Sequence, residues 1–338
     1  MNYKLLGKSG LKVSELCLGT MGFGQEWKWG ADKETSFKIL DAYANAGGNF
    51  LDTANRYTEG QSEKILGEYM KDKRDHFVVA TKYTLFDNQT NVNASGNNRK
   101  NMMRSVEESL KRLNTEFIDL LYLHIWDHLT PIDEVMRGLD DLVRQGKVNY
   151  IGISDTPAWV VSRGNTMAEL MGWSRFVALQ IEYSLIQRTP ERELIPMAKE
   201  FGMTVTPWAP LAGGALTGKY LKGDKGRIPD NSKRLNERST TIAKAVVEVA
   251  EELNVPASHV ALKWTTMQGF SCIPIVGATK LSQVEENLKA LDIVLSTAQL
   301  QKLNDVSRIE LGFPGDFYLE DGVKNVTYGG FHDRIEKR

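Results

Sequence analysis

The chain has 338 residues, of which 41% are hydrophobic and 25% charged, a balance ordinary for a globular protein that excludes disordered and fibrous classes. Its 42 basic and 43 acidic side chains leave a formal charge of −1, without the positive excess that favours nucleic acid or an anionic membrane. A small-molecule partner is expected, and the length admits either one large domain or two ordinary ones.

The opening segment MNYKLLGKSGLKVSEL lacks the apolar run of a secretory signal, and nowhere do about 18 uninterrupted apolar residues occur. No membrane partner and a cytoplasmic location are the expectations. Within that segment, YKLLGKSGLKVSEL reads as a hairpin able to plug the bottom of a barrel.

Eight runs rich in β-branched and aromatic residues follow: LCLG from Leu16, NFLD from Asn49, FVVATK from Phe77, FIDLLYLH from Phe117, VNYIGIS from Val148, FVALQIEY from Phe176, MTVTPW from Met203 and SCIPIVG from Ser271. Most are continuously apolar, as strands covered on both faces are. Helical periodicity lies between them. In ETSFKILDAYANAG, the side chains of Phe37, Leu40, Ala44 and Ala46 fall on one side, and Gly47-Gly48 stops the helix. Thr130-Pro131 and Thr189-Pro190 offer a hydroxyl cap before proline, while Ser282 with Glu285 and Ser296 with Gln299 have capping-box spacing. Residues 209–238 read as a Gly-, Lys- and Pro-rich loop followed by two helices, and residues 310–330 as irregular loop. Cys17 and Cys272 lie in apolar runs and read as buried thiols.

Eight βα units without a linker or repeat predict an α/β fold, a closed (β/α)₈ barrel with an amino-terminal hairpin and extended loops at its carboxyl face, in a single domain spanning 1–338. An open doubly wound sheet is the alternative. Barrel chemistry is built where strands end, and these strands end in Asp52, Lys82, His124, Ser154-Asp155, Gln180, Trp208 and Gly277. A charge closing an apolar strand is costly unless paired, and Asp52 and Lys82 are placed to pair on adjacent strands.

The segments NFLDTANRYTEGQSEKILGEYM, VVATK, DLLYLHIWD, YIGISD, ALQIEYSL, VTPWAPLAGGALTGKY and PIVGATKLSQVEEN, in that order, resemble the successive signatures of the aldo-keto reductase superfamily. The resemblance implies reversible, NADP(H)-dependent reduction of aldehydes or ketones. It puts a catalytic tetrad on Asp52, Tyr57, Lys82 and His124. Hydride addition develops negative charge on a carbonyl oxygen, so a proton donor and positive charge must stand within hydrogen-bond reach. Lys82 beside Tyr57 should lower the phenol's pKa, Asp52 should keep Lys82 charged, and His124 should orient the carbonyl.

The resemblance also implies a cofactor site. Trp208 would stack on the nicotinamide, Ser154 and Gln180 would bind its carboxamide, and Asp155 stands where many relatives carry asparagine. Ala209, Pro210, Leu211 and Lys219 would strap the pyrophosphate, with Arg234 nearby. Gly277, Thr279, Lys280 and Gln283 precede or open a helix amino terminus, where anions are favoured, and Lys280 would bind the 2′-phosphate that favours NADPH over NADH; Gln283 stands where many mammalian members carry arginine, and Glu286 with Asn287 resemble the adenine contacts. Thr20 and Met21, after the first strand, complete the cofactor set. A cofactor-bound regulatory or scaffold subunit, like the channel-associated members of the superfamily, is the alternative function; the intact tetrad favours the enzyme.

GGALTGK from Gly213 nearly matches a nucleotide-phosphate loop, but Tyr220 replaces the hydroxyl that would hold magnesium. The strand ends do not supply the converging ligands of a metal site, so no metal is expected. Trp27, Trp29, Phe86 and Trp126 would ring the barrel mouth as an apolar pocket for aromatic or bulky carbonyls. FDNQTNVNASGNN, at 86–98, reads as a mobile polar segment over that pocket.

Overall fold

The computed structural model describes residues 1–224, 226, 228–229 and 231–336; Lys225, Arg227 and Asp230 of the 209–238 loop, and the last two positions of the 1–338 span, lie outside the described residues. An antiparallel hairpin of β1 (Tyr3–Leu5) and β2 (Lys12–Ser14) comes first. Eight strands then form one parallel sheet: β3 (Cys17–Gly19), β4 (Phe50–Asp52), β5 (Val78–Tyr83), β6 (Ile118–Leu123), β7 (Val148–Ser154), β8 (Phe176–Glu182), β9 (Thr204–Trp208) and β10 (Ile275–Gly277). From β3 to β9 each strand pairs with the next in chain order, and β10 pairs with β3. The Val205 N–H donates to the Ser271 carbonyl at 2.8 Å and the Ile273 N–H to the Val205 carbonyl at 2.9 Å, which ties β9 to the segment leading into β10 and brings the sheet round into a barrel.

All eight apolar runs are strands, and the open sheet is excluded. Every position of β5 and β6 is buried, as strands lined by a packed interior on one face and helices on the other must be. The hairpin covers the amino-terminal floor, where Leu6 and Val13 are buried in one cluster with Phe50, Val78, Leu120 and Ile275. Higher up, the Tyr122 hydroxyl and Thr206 Oγ1 meet at 3.1 Å across the interior. The carboxyl-terminal rim is left for chemistry.

Helices α1 (Lys33–Asn45), α2 (Gln61–Tyr69), α3 (Arg99–Leu113), α4 (Ile132–Arg144), α5 (Ala158–Met171) and α6 (Leu194–Phe201) connect β3 through β9. Helices α7 (Glu237–Leu253) and α8 (Ala257–Thr266) fill the interval before β10, as expected, and α9 (Leu281–Lys289) and α10 (Thr297–Ser307) follow it. Asp32 caps α1, its carboxylate accepting the Thr35 N–H at 2.7 Å, and Ser296 caps α10 with Gln299 completing the expected box. Cys17 and Cys272 are buried free thiols. No helix among the described residues is long and apolar enough to cross a membrane.

Several local expectations give way. The buried face of α1 is Ser36, Ile39, Leu40 and Tyr43, because the Tyr43 hydroxyl reaches inward to the Leu16 carbonyl at 2.6 Å and sets the rotation of the helix. Pro131, not Thr130, caps α4; Thr130 Oγ1 donates to Asp127 Oδ2 at 2.8 Å instead. Thr189-Pro190 opens only a single 3₁₀ turn, Thr189–Glu191. Ser282 lies inside α9, whose cap is Lys280, because the longer Gln283 side chain folds back to the preceding backbone. Residues 310–330 are not irregular: they hold α11 (Gly315–Leu319) and α12 (Asp321–Tyr328). Neither helix buries a residue, so no core-facing apolar stripe marks them in the sequence.

Candidate active site

At the rim, Asp52 ends β4 and Lys82 stands one residue before the end of β5. Parallel pairing sets these strands side by side, and Lys82 Nζ donates to Asp52 Oδ1 at 2.7 Å and to the Thr53 carbonyl at 2.7 Å. Its third donor reaches the Tyr57 hydroxyl at 3.2 Å. The three ammonium protons are thus committed to three oxygens, and Lys82 is fully buried. The other Asp52 oxygen accepts the Gln180 side-chain N–H at 2.8 Å.

Tyr57 is held by a turn the sequence did not announce. Thr58, Glu59 and Gly60 all have positive φ, at 46°, 54° and 84°. A left-handed β-branched residue is strained, and the surroundings hold Thr58 there. It is fully buried, its hydroxyl donates to the Phe23 carbonyl at 2.5 Å, and it accepts the Ser62 N–H at 3.1 Å, at the start of α2. Thr58 therefore pins the turn that aims Tyr57 at Lys82.

The His124 and Tyr57 rings meet edge to face, centroids 5.9 Å apart at 80°. Burial, with the Lys82 charge beside it, holds the His124 imidazole well below the usual histidine pKa, so it is neutral near pH 7. His124 Nδ1 is buried and has no partner. Burial acts against the Lys82 ammonium, but Asp52 and Tyr57 outweigh it and leave its pKa above the ordinary lysine value. For Tyr57 the net direction differs from the expected one. Burial raises the phenol, Lys82 pulls it down, and burial wins, with Asp52 acting in the same direction. Tyr57 is accordingly a protonated phenol near neutral pH.

Beside this cluster, Ser154 ends β7, and its Oγ is buried without a partner. An orphaned hydroxyl next to Gln180 suits a ligand amide that the protein itself does not provide. The Trp208 indole N–H donates to Asp155 Oδ1 at 3.1 Å. That indole supplies the donor Asp155 needs; among the described residues no arginine does. Strand β8 runs two residues past Gln180 to Glu182, which pairs with Arg234 at 2.6 Å. The Arg234 guanidinium also lies 5.7 Å from the centre of the Trp208 ring.

After Trp208 the chain turns through Ala209 at φ 52°, Pro210 and Leu211, then through Gly213 and Gly214 at 67° and 95°. A Cβ on Gly213 would come within 3.5 Å of Arg234 Nη1, and one on Gly214 within 2.9 Å of Lys219 Nζ. Bare backbone flanked by two cations is a cradle suited to a diphosphate. Around the far rim, Gly277 is exposed and open, and the Gln283 side-chain oxygen accepts the N–H groups of Thr279 at 2.8 Å and Lys280 at 3.2 Å. Glu286 Oε1 lies 3.0 Å from His259 Nε2, and Asn287 is buried beneath. Thr20 is fully buried with its hydroxyl bonded to the Asp52 carbonyl and Ser62, so it shapes the wall from within, while Met21 is half-exposed.

Residues 15–308 match the model of the aldo/keto reductase family. The chain belongs to the aldo/keto reductase family. It is 40% identical over 351 residues to an aryl-alcohol dehydrogenase [NADP(+)] of Phanerodontia chrysosporium, covering 96% of this chain and 91% of that one. It is 39% identical to norsolorinic acid reductase B of Dothistroma septosporum, across 98% and 88% of the two chains. A putative aryl-alcohol dehydrogenase of Saccharomyces cerevisiae is 35% identical, across 94% and 90%.

In this aldo/keto reductase the aromatic side chains expected at the mouth do not form one ring. Trp27 and Trp29 sit together, centroids 6.1 Å apart, and the Trp27 indole N–H donates to Glu59 Oε1 at 3.0 Å. Arg56 pairs with the same Glu59 and lies 4.5 Å over the Phe86 ring. Two further loops thus converge on Arg56 and Glu59, which lie on either side of Tyr57 in the chain. Trp126 is buried in the main apolar core, and its N–H reaches the Asp155 carbonyl at 3.4 Å. The second half of segment 86–98 is anchored, with Ala94 and Asn97 fully buried and the Asn97 N–H donating to Asp127 Oδ2 at 2.7 Å, while residues 86–93 are exposed. Glu59 and Arg56 carried no signal beyond their closeness to Tyr57, whereas Glu182 was readable as the true end of an apolar strand.

Proposed function

We propose that this protein interconverts aromatic aldehydes or ketones and the corresponding alcohols with NADP(H) in the cytoplasm, using the whole 1–338 chain as one barrel unit. The observation that carries this reading is the unbroken chain from Asp52 through a fully buried Lys82 to the Tyr57 hydroxyl. A structural salt bridge alone does not require the third contact.

When bound, the nicotinamide supplies the hydride to the carbonyl carbon in reduction and accepts it in oxidation. Tyr57 delivers the proton to the carbonyl oxygen, and its protonated state near pH 7 suits it to that direction. Lys82, kept charged by Asp52, stabilises the phenolate left behind. The neutral His124 can donate one N–H toward the same oxygen and so orients the carbonyl. Oxidation requires the phenolate and is favoured at higher pH.

The residues present fit the cofactor. The unpartnered Ser154 Oγ with Gln180 would take the carboxamide, and the Trp208 face the ring. Ala209, Pro210, Leu211, Lys219 and Arg234 would strap the diphosphate. Lys280 would hold the 2′-phosphate at the start of α9, beside Gly277, Thr279 and Gln283, with Glu286 and Asn287 at the adenine. Trp27, Trp29 and Phe86 offer aromatic surface for the substrate, in keeping with the aryl-alcohol relatives. Incubation with NADPH and a panel of aromatic aldehydes tests the reading: loss of NADPH absorbance supports it, and no loss with any member of the panel contradicts it.

A further inference from the structure

Three carboxylates stand at or just after barrel strand ends: Asp52 on β4, Glu182 on β8, and Asp155 immediately after β7. Two are neutralised. Asp52 pairs with Lys82 at 2.7 Å, and Glu182 with Arg234 at 2.6 Å. Asp155 has no cation at ion-pair distance among the described residues; its side-chain partner is the uncharged Trp208 N–H at 3.1 Å. The neutral His124 adds no compensating charge. Among the described residues, Asp155 is therefore a carboxylate beside the Trp208 indole with no ion-pair partner.

The backbone fixes where that carboxylate sits. Asp155 has φ 40°, a left-handed conformation, and both its backbone groups are engaged: its N–H donates to the Gln180 carbonyl at 3.2 Å and its carbonyl accepts from Trp126 at 3.4 Å. The side chain is thereby directed at the edge of Trp208, the residue expected to stack on the nicotinamide. An asparagine would keep every one of these hydrogen bonds and tolerate the same backbone, so the difference made by aspartate is its charge.

We infer that the Asp155 carboxylate makes the site prefer the oxidised, cationic nicotinamide over the reduced, neutral one, and so biases hydride transfer on the protein toward carbonyl reduction. The inference rests on the nicotinamide placement proposed above. The two forms share their phosphates, ribose and adenine, so discrimination arises around the ring, where a charge acts on one form and not on the other. Tighter binding of the oxidised form must, by linkage, make the bound reduced form a stronger hydride donor.

Calorimetric titration of NADP⁺ and NADPH into wild type, Asp155→Asn and Asp155→Glu tests it. In wild type NADP⁺ should bind more tightly than in Asp155→Asn relative to NADPH, the ratio of the two dissociation constants shifting by roughly three- to thirtyfold, the range for one charge at partly screened distances. Asp155→Glu, which keeps the charge but lengthens the side chain at a left-handed position, should lie closer to wild type than Asp155→Asn does. A ratio unchanged within about twofold in Asp155→Asn, or a shift of the opposite sign, overturns the inference while leaving the reductase reading standing. Failure of wild type to bind either nucleotide removes that reading, and the inference with it.

Discussion

The Lys82 ammonium stands 3.2 Å from the Tyr57 hydroxyl, at the end of a buried chain that starts from Asp52. Replacing Lys82 by Met removes the charge from both neighbours at once. Turnover should collapse, and Asp52, then buried without its cation, should cost about 3–5 kcal/mol of stability. Urea denaturation alongside aldehyde turnover checks both. Turnover close to wild type in Lys82→Met would show that the pair only supports the barrel.

Thr58 holds the left-handed turn behind Tyr57. Thr58→Val keeps the shape and the strain but removes the hydroxyl that bonds Phe23 and Ser62, leaving two buried groups unsatisfied at about 1–3 kcal/mol each. Stability and kcat should both fall, and Thr58→Ser should restore kcat. A Thr58→Val enzyme indistinguishable from wild type would mean that the turn needs no such pin.

His124 is held neutral in the fold, its pKa well below the ordinary histidine value near 6.5. Below that value the unfolded chain binds a proton that the folded one refuses, so stability falls as the pH drops from 7 toward 5. The slope contributed by His124 is at most about 1.4 kcal/mol per pH unit. Thermal melts across this window should show that slope reduced in His124→Asn. Parallel wild-type and variant curves would contradict a neutral, desolvated imidazole.

Lys280 caps α9, and Gln283 presently occupies the two backbone N–H groups beside it. A 2′-phosphate bound here must displace that amide oxygen and would gain the Lys280 ammonium in exchange. Lys280→Met should weaken NADPH binding about ten- to a hundredfold and leave NADH nearly unchanged. Equal losses for both nucleotides, or none, would place the 2′-phosphate elsewhere.

The barrel was legible because each strand is a continuous apolar run, and a strand buried on both faces has little other way to appear in a sequence. Asp52, Lys82, His124 and Ser154 were legible for the complementary reason, as polar residues interrupting such runs at their ends. Side-chain reach was not. That Gln283 rather than Ser282 closes the start of α9, that Tyr43 turns α1, and that Asp127 ties down the second half of the 86–98 segment through Asn97 all depend on partners distant in sequence or on which of two neighbours is longer. Nor does composition show the balance of burial against Lys82 at the Tyr57 phenol, which reversed the expected direction of its pKa. The helices at 315–328 escaped because neither buries a residue against the core.

The most direct measurement is the single-turnover rate of aldehyde reduction by Tyr57→Phe with NADPH already bound, set beside its NADPH affinity. Phenylalanine removes one hydroxyl from the end of the Asp52–Lys82 chain and leaves the proposed cofactor contacts in place. The expected result is a rate lower by roughly 10²–10⁴-fold with nearly unchanged affinity. A rate close to wild type, with NADPH equally well bound, would mean that the proton comes from another group.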